Sequence, residues 1–511
     1  MKDNDIAILE EQVEQVYNAI INSLNVSNDF FDGTNDEYIC SAKNLVSYLV
    51  LRSIDLKNAQ EGLVKLGISS LGTSAGYVLE NVSRTLTLLS LIRGNSVSRN
   101  LQRPSLGYSE SKILLQARTK ALFKVSENEL ETRIMVTMPD EASTDHGLLE
   151  GLLQAGMEIA RINLSHGDPV LWSGILTNLR SINNRLDLNT CVFMDLPGPK
   201  IRVESLFKPS LDQKALLQVN AIAIAKDDHI ELIHESYYIE REAQKIFHHP
   251  IIAVELTEII SDLEVDHSIF FDDGAIEGRV ISKTKNLIQV KILNSTKKKL
   301  RIGKGINVPN TRLSLPSLTK NDLELLPYAC EHADIIGYSF VRTPEDVKLL
   351  YAKLAEMNDV DTGVVFKIEN KEAFNNLPRI LFEAMKRPKI GVMIARGDLA
   401  VEVGFDRVSE VKNQILSICE AAHIPVIWAT QVLENMAKKG LATRAEISDV
   451  VLSVQAECVM LNKGPYIVET VSMLKNILGR MEEHHNKNKK TLRALEVAKI
   501  NLTMMGVNQW G

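Results

Sequence analysis

The sequence predicts an α/β chain: a (β/α)8 TIM barrel with a small β domain inserted after strand 3 and a helical segment ahead of the barrel. Three observations carry that expectation. From Arg133 onward, eight short apolar runs alternate with helical patterns, the sign of a parallel sheet whose strands are buried on both faces. The link after the third run, from about Val203 to Ile306, is far too long for a loop and contains alternating apolar and polar runs, as half-buried strands do. Polar and charged residues also recur at the C-terminal ends of the eight runs, the rim where such barrels carry their active sites.

Taken in order, residues 1–130 read as a helical segment. Ile6, Leu9, Val13, Val16 and Ile20 fall at three-four spacing, an amphipathic stripe expected to pack on its own neighbours. Ala42 to Ile54 and Tyr77 to Ile92 read as further helices, the second closed by Arg93–Gly94. The first part of the barrel, residues 131–203, holds the runs Arg133–Thr137, Glu158–Leu164 and Cys191–Asp195. The inserted β domain, residues 204–306, contains the alternating runs Ile276–Ile281 and Ile288–Ile292 and the turn Asp272–Asp273–Gly274. Within it, Lys297–Lys298–Lys299 reads as a solvated hairpin. The second part of the barrel, residues 307–480, supplies Asp334–Phe340, Val364–Glu369, Ile390–Ala395, Pro425–Thr430 and Cys458–Asn462. Between the runs lie helices such as Asp168–Asn183, Pro344–Met357 and Arg407–Ala422. Residues 481–511 form a polar, basic tail, in which His484–His485 is expected to be solvated surface, for want of nearby partner ligands.

Composition narrows the function. The 511 residues are 45% hydrophobic and 24% charged, ordinary for a globular chain of two to four domains. A net charge of −7 argues against general affinity for nucleic acid or an anionic membrane. No apolar run approaches a membrane span and MKDNDIAILEEQ lacks a signal-peptide core. Five scattered cysteines fit reduced thiols in the cytoplasm better than disulfides or a zinc site. No P-loop and no glycine-rich dinucleotide fingerprint occurs.

The strand ends supply the chemistry: Thr137, Arg161, Asn163, Ser165, Asp195, Ser339, Lys367, Glu369, Asp398 and Thr430. Lys367 and Glu369 alternate with Ile368 and so leave the strand on one side, while Asp398 follows the next strand. Two carboxylates and one cation in one neighbourhood suit Mg2+ held by protein carboxylates and a substrate phosphate. A bland reading stands beside it: a Lys367–Glu369 salt bridge, with Asp398 capping a helix.

The words "KIEN" and "GVMIARGDLAVEV", with "ARINLSHG", "MDLPGPKIRV", "GKGINVP" and "WATQVLENM" in the same order, resemble the pyruvate kinase family from about Arg133 to about Leu478. The resemblance implies transfer of a phosphoryl group from phosphoenolpyruvate to ADP, giving pyruvate and ATP, by a cytoplasmic homo-oligomer. It assigns phosphate binding to Arg161, stabilisation of the transferring group to Lys367, Mg2+ to Glu369 and Asp398, and the protonation site of the enolate to Thr430. The backbone from Ala395 to Gly397 would seat the substrate carboxylate, Arg202 and Lys304 the nucleotide phosphates, helped by His166. The inserted domain would close as a lid that excludes water. Thr430 could equally be a cap for a helix beginning near Gln431.

Three departures stand out. Leu196 and Lys200 take the places of a Thr and a Glu that accompany a bound monovalent cation, so Lys200, with Asn163, Ser165 and Asp195, is expected to replace K+ by a fixed ammonium. Asn462–Lys463–Gly464–Pro465–Tyr466 replaces a Ser-Gly-Glu loop behind the proton step, and "VTMPDEAS" a Gly-Pro turn. The family's C-terminal domain, with its allosteric sugar-phosphate site, is expected to be absent. Two alternatives remain open: another Mg2+-dependent barrel enzyme handling an enolpyruvate, of lyase or aldolase type, and a non-catalytic regulatory homologue.

Overall fold

The computed structural model describes residues 3–26, 31–68, 70–95, 106–124, 130–234, 237, 247–254, 256, 258–482, 485–486 and 489–490. Most of the tail and the side chains of His484–His485 lie outside these residues. Among the described residues five α-helices precede the barrel: α1 (Asp3–Val26), α2 (Ile39–Ser53), α3 (Lys57–Lys65), α4 (Val78–Ile92) and α5 (Tyr108–Phe123). Every residue of the α1 stripe is buried, and α1 packs on α2, α3 and α4, so the stripe is spent within the chain. Gly94 ends α4 in the left-handed conformation, φ 75°, as the sequence suggests. Sequence reading misses α3 and α5. Of the buried residues of α5, Ser111, Arg118 and Thr119 are polar, so no apolar stripe announces it.

Eight parallel strands close into a barrel in the order β1-β2-β3-β14-β15-β16-β17-β18. They are β1 (Arg133–Thr137), β2 (Ile159–Asn163), β3 (Cys191–Asp195), β14 (Ile335–Tyr338), β15 (Gly363–Ile368), β16 (Ile390–Ala395), β17 (Val426–Ala429) and β18 (Cys458–Leu461). Each lies within two residues of its predicted bounds. Where the strand stops short, as before Ser339, Glu369 or Thr430, the omitted residue is one of the polar set at the rim. The barrel helices are α6 (His146–Ala155), α7 (Pro169–Leu186), α8 (Lys320–His332), α9 (Pro344–Glu356), α10 (Lys371–Ala384), α11 (Arg396–Val403), α12 (Val408–Ala422), α13 (Glu434–Lys439), α14 (Arg444–Ser453) and α15 (Ile467–Glu482). Asp168 caps α7 by accepting from the Val170 and Leu171 N–H groups, and Thr319, Thr343 and Thr443 form capping boxes on α8, α9 and α14.

The chain divides into two compact units. One comprises Met1–Ile162, Gly167–Phe193 and Leu416–Gly511; the other comprises Asn163–His166 and Met194–Ile415. In the first, the N-terminal helices are fixed to the turn between α12 and β17 by a buried polar network. His423, fully buried and at φ 53°, lies 3.0 Å from Ser41 Oγ through Nδ1 and 2.9 and 3.0 Å from the Gly76 carbonyl and Ser111 Oγ through Nε2. Arg118 donates to Ser41 Oγ (2.8 Å), to the carbonyls of Ala422 and His423 (both 3.1 Å) and to that of Glu37 (2.6 Å). Its guanidinium also stacks 3.6 Å from the centroid of the Tyr38 ring. Asn44 donates to the carbonyls of Ala75 and Ala421 and accepts from Val78 N–H. At the other edge of this unit, Glu131 and Thr132 N–H donate to the Glu482 carboxylate at 3.0 and 2.7 Å, which ties the start of β1 to the end of α15.

The second unit holds the inserted β domain. Its eight-stranded sheet runs β13-β9-β10-β11-β7-β8-β4-β5, with β12 and β6 paired separately. These strands are β4 (Ser205–Pro209), β5 (Leu216–Val219), β6 (Ala221–Ala223), β7 (His229–His234), β8 (Ile251–Val254), β9 (Ser268–Phe271), β10 (Ile276–Lys283), β11 (Leu287–Ser295), β12 (Lys299–Arg301) and β13 (Ile306–Asn307). Inward residues such as Leu232, Ile269, Val280 and Val290 make a core of its own. The predicted turn joins β9 to β10 with Asp272, Asp273 and Gly274 all at positive φ, which Asp tolerates and Gly prefers.

Candidate active site

The ends of β3, β14 and β15 bring four side chains together. Lys367 Nζ lies 3.1 Å from the Asp195 carboxylate, 2.7 Å from Ser339 Oγ and 3.4 Å from Glu369 Oε1. Ser339 Oγ donates in turn to the Leu196 carbonyl at 2.6 Å. The other Glu369 oxygen accepts the Phe340 N–H at 2.8 Å. Lys367 is 8% exposed and Asp195 1%, so the charges act on one another with little screening by water. Gly198 allows the chain past this point. It holds φ 67°, and a Cβ there would lie 2.8 Å from Ser339 Cβ, so a side chain would meet both strain and a clash.

Asp398 stands in the first turn of α11, which starts directly from β16. Ala395 at the N-cap contributes no side-chain cap, and the helix dipole points its positive end at this rim. The Asp398 oxygens each lie 3.0 Å from Lys200 Nζ, and Asn307 Nδ2 is 3.4 Å from Asp398 Oδ1 and 3.3 Å from Glu402 Oε1. A cleft of about 410 Å3 opens here, lined by Lys200, Asn307, Phe340, Arg342, Asn370 and Glu402 among others.

Asp195, Glu369 and Asp398 thus pair with two ammonium groups (Lys367, Lys200), and Glu402 joins them through Asn307. Burial pushes the Glu369 carboxyl above the usual range; the negative charges of Asp398 and Asp195 push it further, and Lys367 opposes them. Burial likewise pushes Glu402 up to about 7, with Asp398 adding to the effect and the Asn307 hydrogen bond opposing it. Among the described residues no group of three or more His, Cys, Asp or Glu could hold a metal by itself. The donor set still fits a hard divalent cation. It offers two nearby carboxylates in a negative field and a buried Asn307 Oδ1 with no hydrogen-bond partner. Such a cation normally completes its shell with water and substrate oxygens.

The remaining predicted residues lie as follows. Arg161 (8% exposed) belongs to the first unit, where its Nη1 donates to Thr137 Oγ1 at 2.8 Å. Asn163 Oδ1 accepts the Ser165 N–H at 3.1 Å and its carbonyl the His166 N–H. Arg202 donates to the Gly303 carbonyl at 3.2 Å. Lys304 Nζ lies 3.0 Å from Asp272, whose other oxygen is paired with Lys297; Lys297, Lys298 and Lys299 are all exposed, as a solvated hairpin requires. Thr430 sits at φ 65° and Gln431 at φ 55°, strained values for a β-branched residue. The helix expected near Gln431 begins only at Glu434, because three of the four residues from Thr430 to Leu433 are left-handed. Of the set expected to replace K+, Lys200 meets Asp398, while Asp195 meets Lys367 and Ser339.

Two members of the cluster escape sequence reading. Glu402 follows Asp398 by four residues, one helical turn, so it shares that face of α11; the spacing was there to be used. Asn307, in "GINVP", carries no such signal.

Residues 130–471 match the family model for the barrel domain of pyruvate kinase. The chain is 34% identical over 368 residues to a pyruvate kinase of Bacillus licheniformis, covering 70% of this chain and 58% of that one. It is 33% identical over 356 residues to one from Staphylococcus aureus strain USA300, covering 68% and 56%. The chain therefore spans little more than half the length of these relatives.

Proposed function

The chain belongs to the pyruvate kinase family, and from that premise we propose that it transfers a phosphoryl group from phosphoenolpyruvate to ADP. The observation that carries this reading is the Lys367 ammonium, buried and held among Asp195, Ser339 and Glu369, one strand from Asp398. Phosphoryl transfer asks a protein for positioning and for neutralisation of charge more than for covalent chemistry. A fixed, poorly solvated ammonium meets that need.

In this reading Lys367 faces the transferring phosphoryl oxygens and the N–H groups that open α11 hold the donor carboxylate. Glu369 and Asp398 hold Mg2+, which when bound neutralises enolate and phosphoryl oxygens as a Lewis acid. Arg161 and Thr430 enter by their places in the family's motifs, Arg161 for the phosphate and Thr430 for the carbon that is protonated once the P–O bond of the donor has broken. Asn163, Ser165 and His166 support the phosphate. Arg202 and Lys304 take the phosphates of ADP, whose terminal oxygen forms the new bond, and the β domain excludes water that would otherwise accept the group. Lys200 supplies the positive charge that a monovalent cation would bring.

A lactate-dehydrogenase-coupled assay with phosphoenolpyruvate, ADP and Mg2+ tests the reading. ADP-dependent formation of pyruvate is expected, and folded protein that forms none overturns it. Turnover that rises strongly when a tetramethylammonium salt is replaced by KCl at equal ionic strength overturns the role of Lys200 alone.

A further inference from the structure

The chain leaves β3 for the β domain and returns to the barrel along a narrow two-stranded neck. Val203 N–H donates to the Lys304 carbonyl (2.8 Å), Gly303 N–H to that of Val203 (2.7 Å) and Ile306 N–H to that of Ile201 (2.9 Å), with a bridge between Arg202 and Gly305. Each neck strand sends one polar side chain to α11. From the outgoing strand, Lys200 reaches both oxygens of Asp398 at 3.0 Å. From the returning strand, Asn307 reaches Asp398 and Glu402. Gly305 leaves room for the lysine stem, since a Cβ there would lie 3.0 Å from Lys200 Cε.

A two-point contact of this kind uses the same carboxylate oxygens that a divalent cation needs. Two cations on one carboxylate repel strongly where both side chains are mostly buried, and here they are 21% and 14% exposed. We infer that Lys200 is the resident counter-ion of Asp398 and leaves it when a divalent cation binds, so that the neck of the β domain responds to whether the cation is present. The inference rests on the reading of Asp398 as a cation ligand. The Asn307 amide, which touches Asp398 and keeps a buried Oδ1 without a hydrogen-bond partner among the described residues, would stay beside the carboxylate when the lysine departs.

Mn2+ binding without substrate or nucleotide, followed by the paramagnetic resonance of the free ion, tests this in the wild type, Lys200→Gln and Asp398→Asn. Competition between mutually exclusive ligands predicts that Lys200→Gln binds Mn2+ roughly five- to a hundredfold more tightly. Its metal-free unfolding midpoint falls below that of the wild type and rises further on adding Mn2+, because a buried carboxylate has lost its partner. Asp398→Asn loses the binding. Equal or weaker binding by Lys200→Gln, with binding lost in Asp398→Asn, overturns the inference and leaves the ligand assignment standing. Wild-type binding by Asp398→Asn overturns both. If Lys200→Gln does not fold, the wild type decides: Mn2+ is expected to raise the rate at which an amine-reactive ester labels Lys200, read by mass spectrometry, and an unchanged or slower rate overturns the inference.

Discussion

Two buried polar networks in this protein are built on opposite plans. Around His423 and Arg118 the acceptors are neutral: hydroxyls of Ser41 and Ser111 and carbonyls of Glu37, Gly76, Ala422 and His423. Around Lys367 and Lys200 the acceptors are mainly carboxylates. Burial lowers the Arg118 pKa to about 10, so the guanidinium stays charged at neutral pH, and partial charges with fixed directions surround it. Apart from the buried Arg118 Nε, which has no hydrogen-bond partner among the described residues, such a network needs no further ion, and it fastens helices to a barrel. The second carries more negative than positive groups, and burial first, then the charge of Asp398, raises both Glu369 and Glu402. Surplus charge inside a protein is a cost that a cation or a substrate can relieve, and this is what sets a site apart from a joint.

The sharpest test removes the central cation from each network. Lys367→Ala is expected to lower kcat/KM for phosphoryl transfer by about a thousandfold or more in the coupled assay. Arg118→Ala is expected to lower unfolding stability by about 3 kcal/mol or more in a denaturant titration, since several buried acceptors lose a charged donor. It should leave kcat/KM within about threefold for the folded fraction. Full loss of activity in Arg118→Ala at unchanged stability would erase the distinction between joint and site.

Titration sharpens the comparison further. The Glu402 carboxyl titrates at about 7 in the fold against about 4.3 in an unfolded chain. Its contribution is therefore present below the unfolded value and is lost as pH rises to the folded one. In metal-free buffer, Glu402→Gln should remove that slope and gain up to about 3 kcal/mol over the wild type at pH 8, with little difference near pH 4. Denaturation at the two pH values checks it, and parallel curves would contradict it. The smallest effect belongs to the joint: Ser41→Ala is expected to cost about 1–2 kcal/mol in a denaturant titration, with kcat/KM unchanged.

How far the sequence could be read follows from the same contrast. The barrel strands were legible because β-branched runs buried on both faces admit few other readings, and their polar ends marked Lys367, Glu369 and Asp398 in advance. The His423 network was not, because its members lie up to 382 positions apart and no periodicity joins Ser41 and Arg118 to residue 423. The α5 helix was hidden for the same reason, as it turns polar residues inward to meet that network. At Thr430, preference for a cap pointed to a helix that three left-handed residues forbid; strain of this kind has no signature in composition. Lys200 was recognised as an unusual cation, yet its partner Asp398 lies 198 positions away, and no local pattern joins the exit of the third strand to the helix that follows the sixth.

One carboxylate joins the two ends of the barrel segment of the chain. Glu482, at the end of α15, grips the N–H groups of Glu131 and Thr132 at 3.0 and 2.7 Å, so the start of the first strand and the end of the last helix share one doorway. Helices grafted before residue 131 and any module attached after residue 482 must accordingly start out as next-door neighbours, crowded at that threshold.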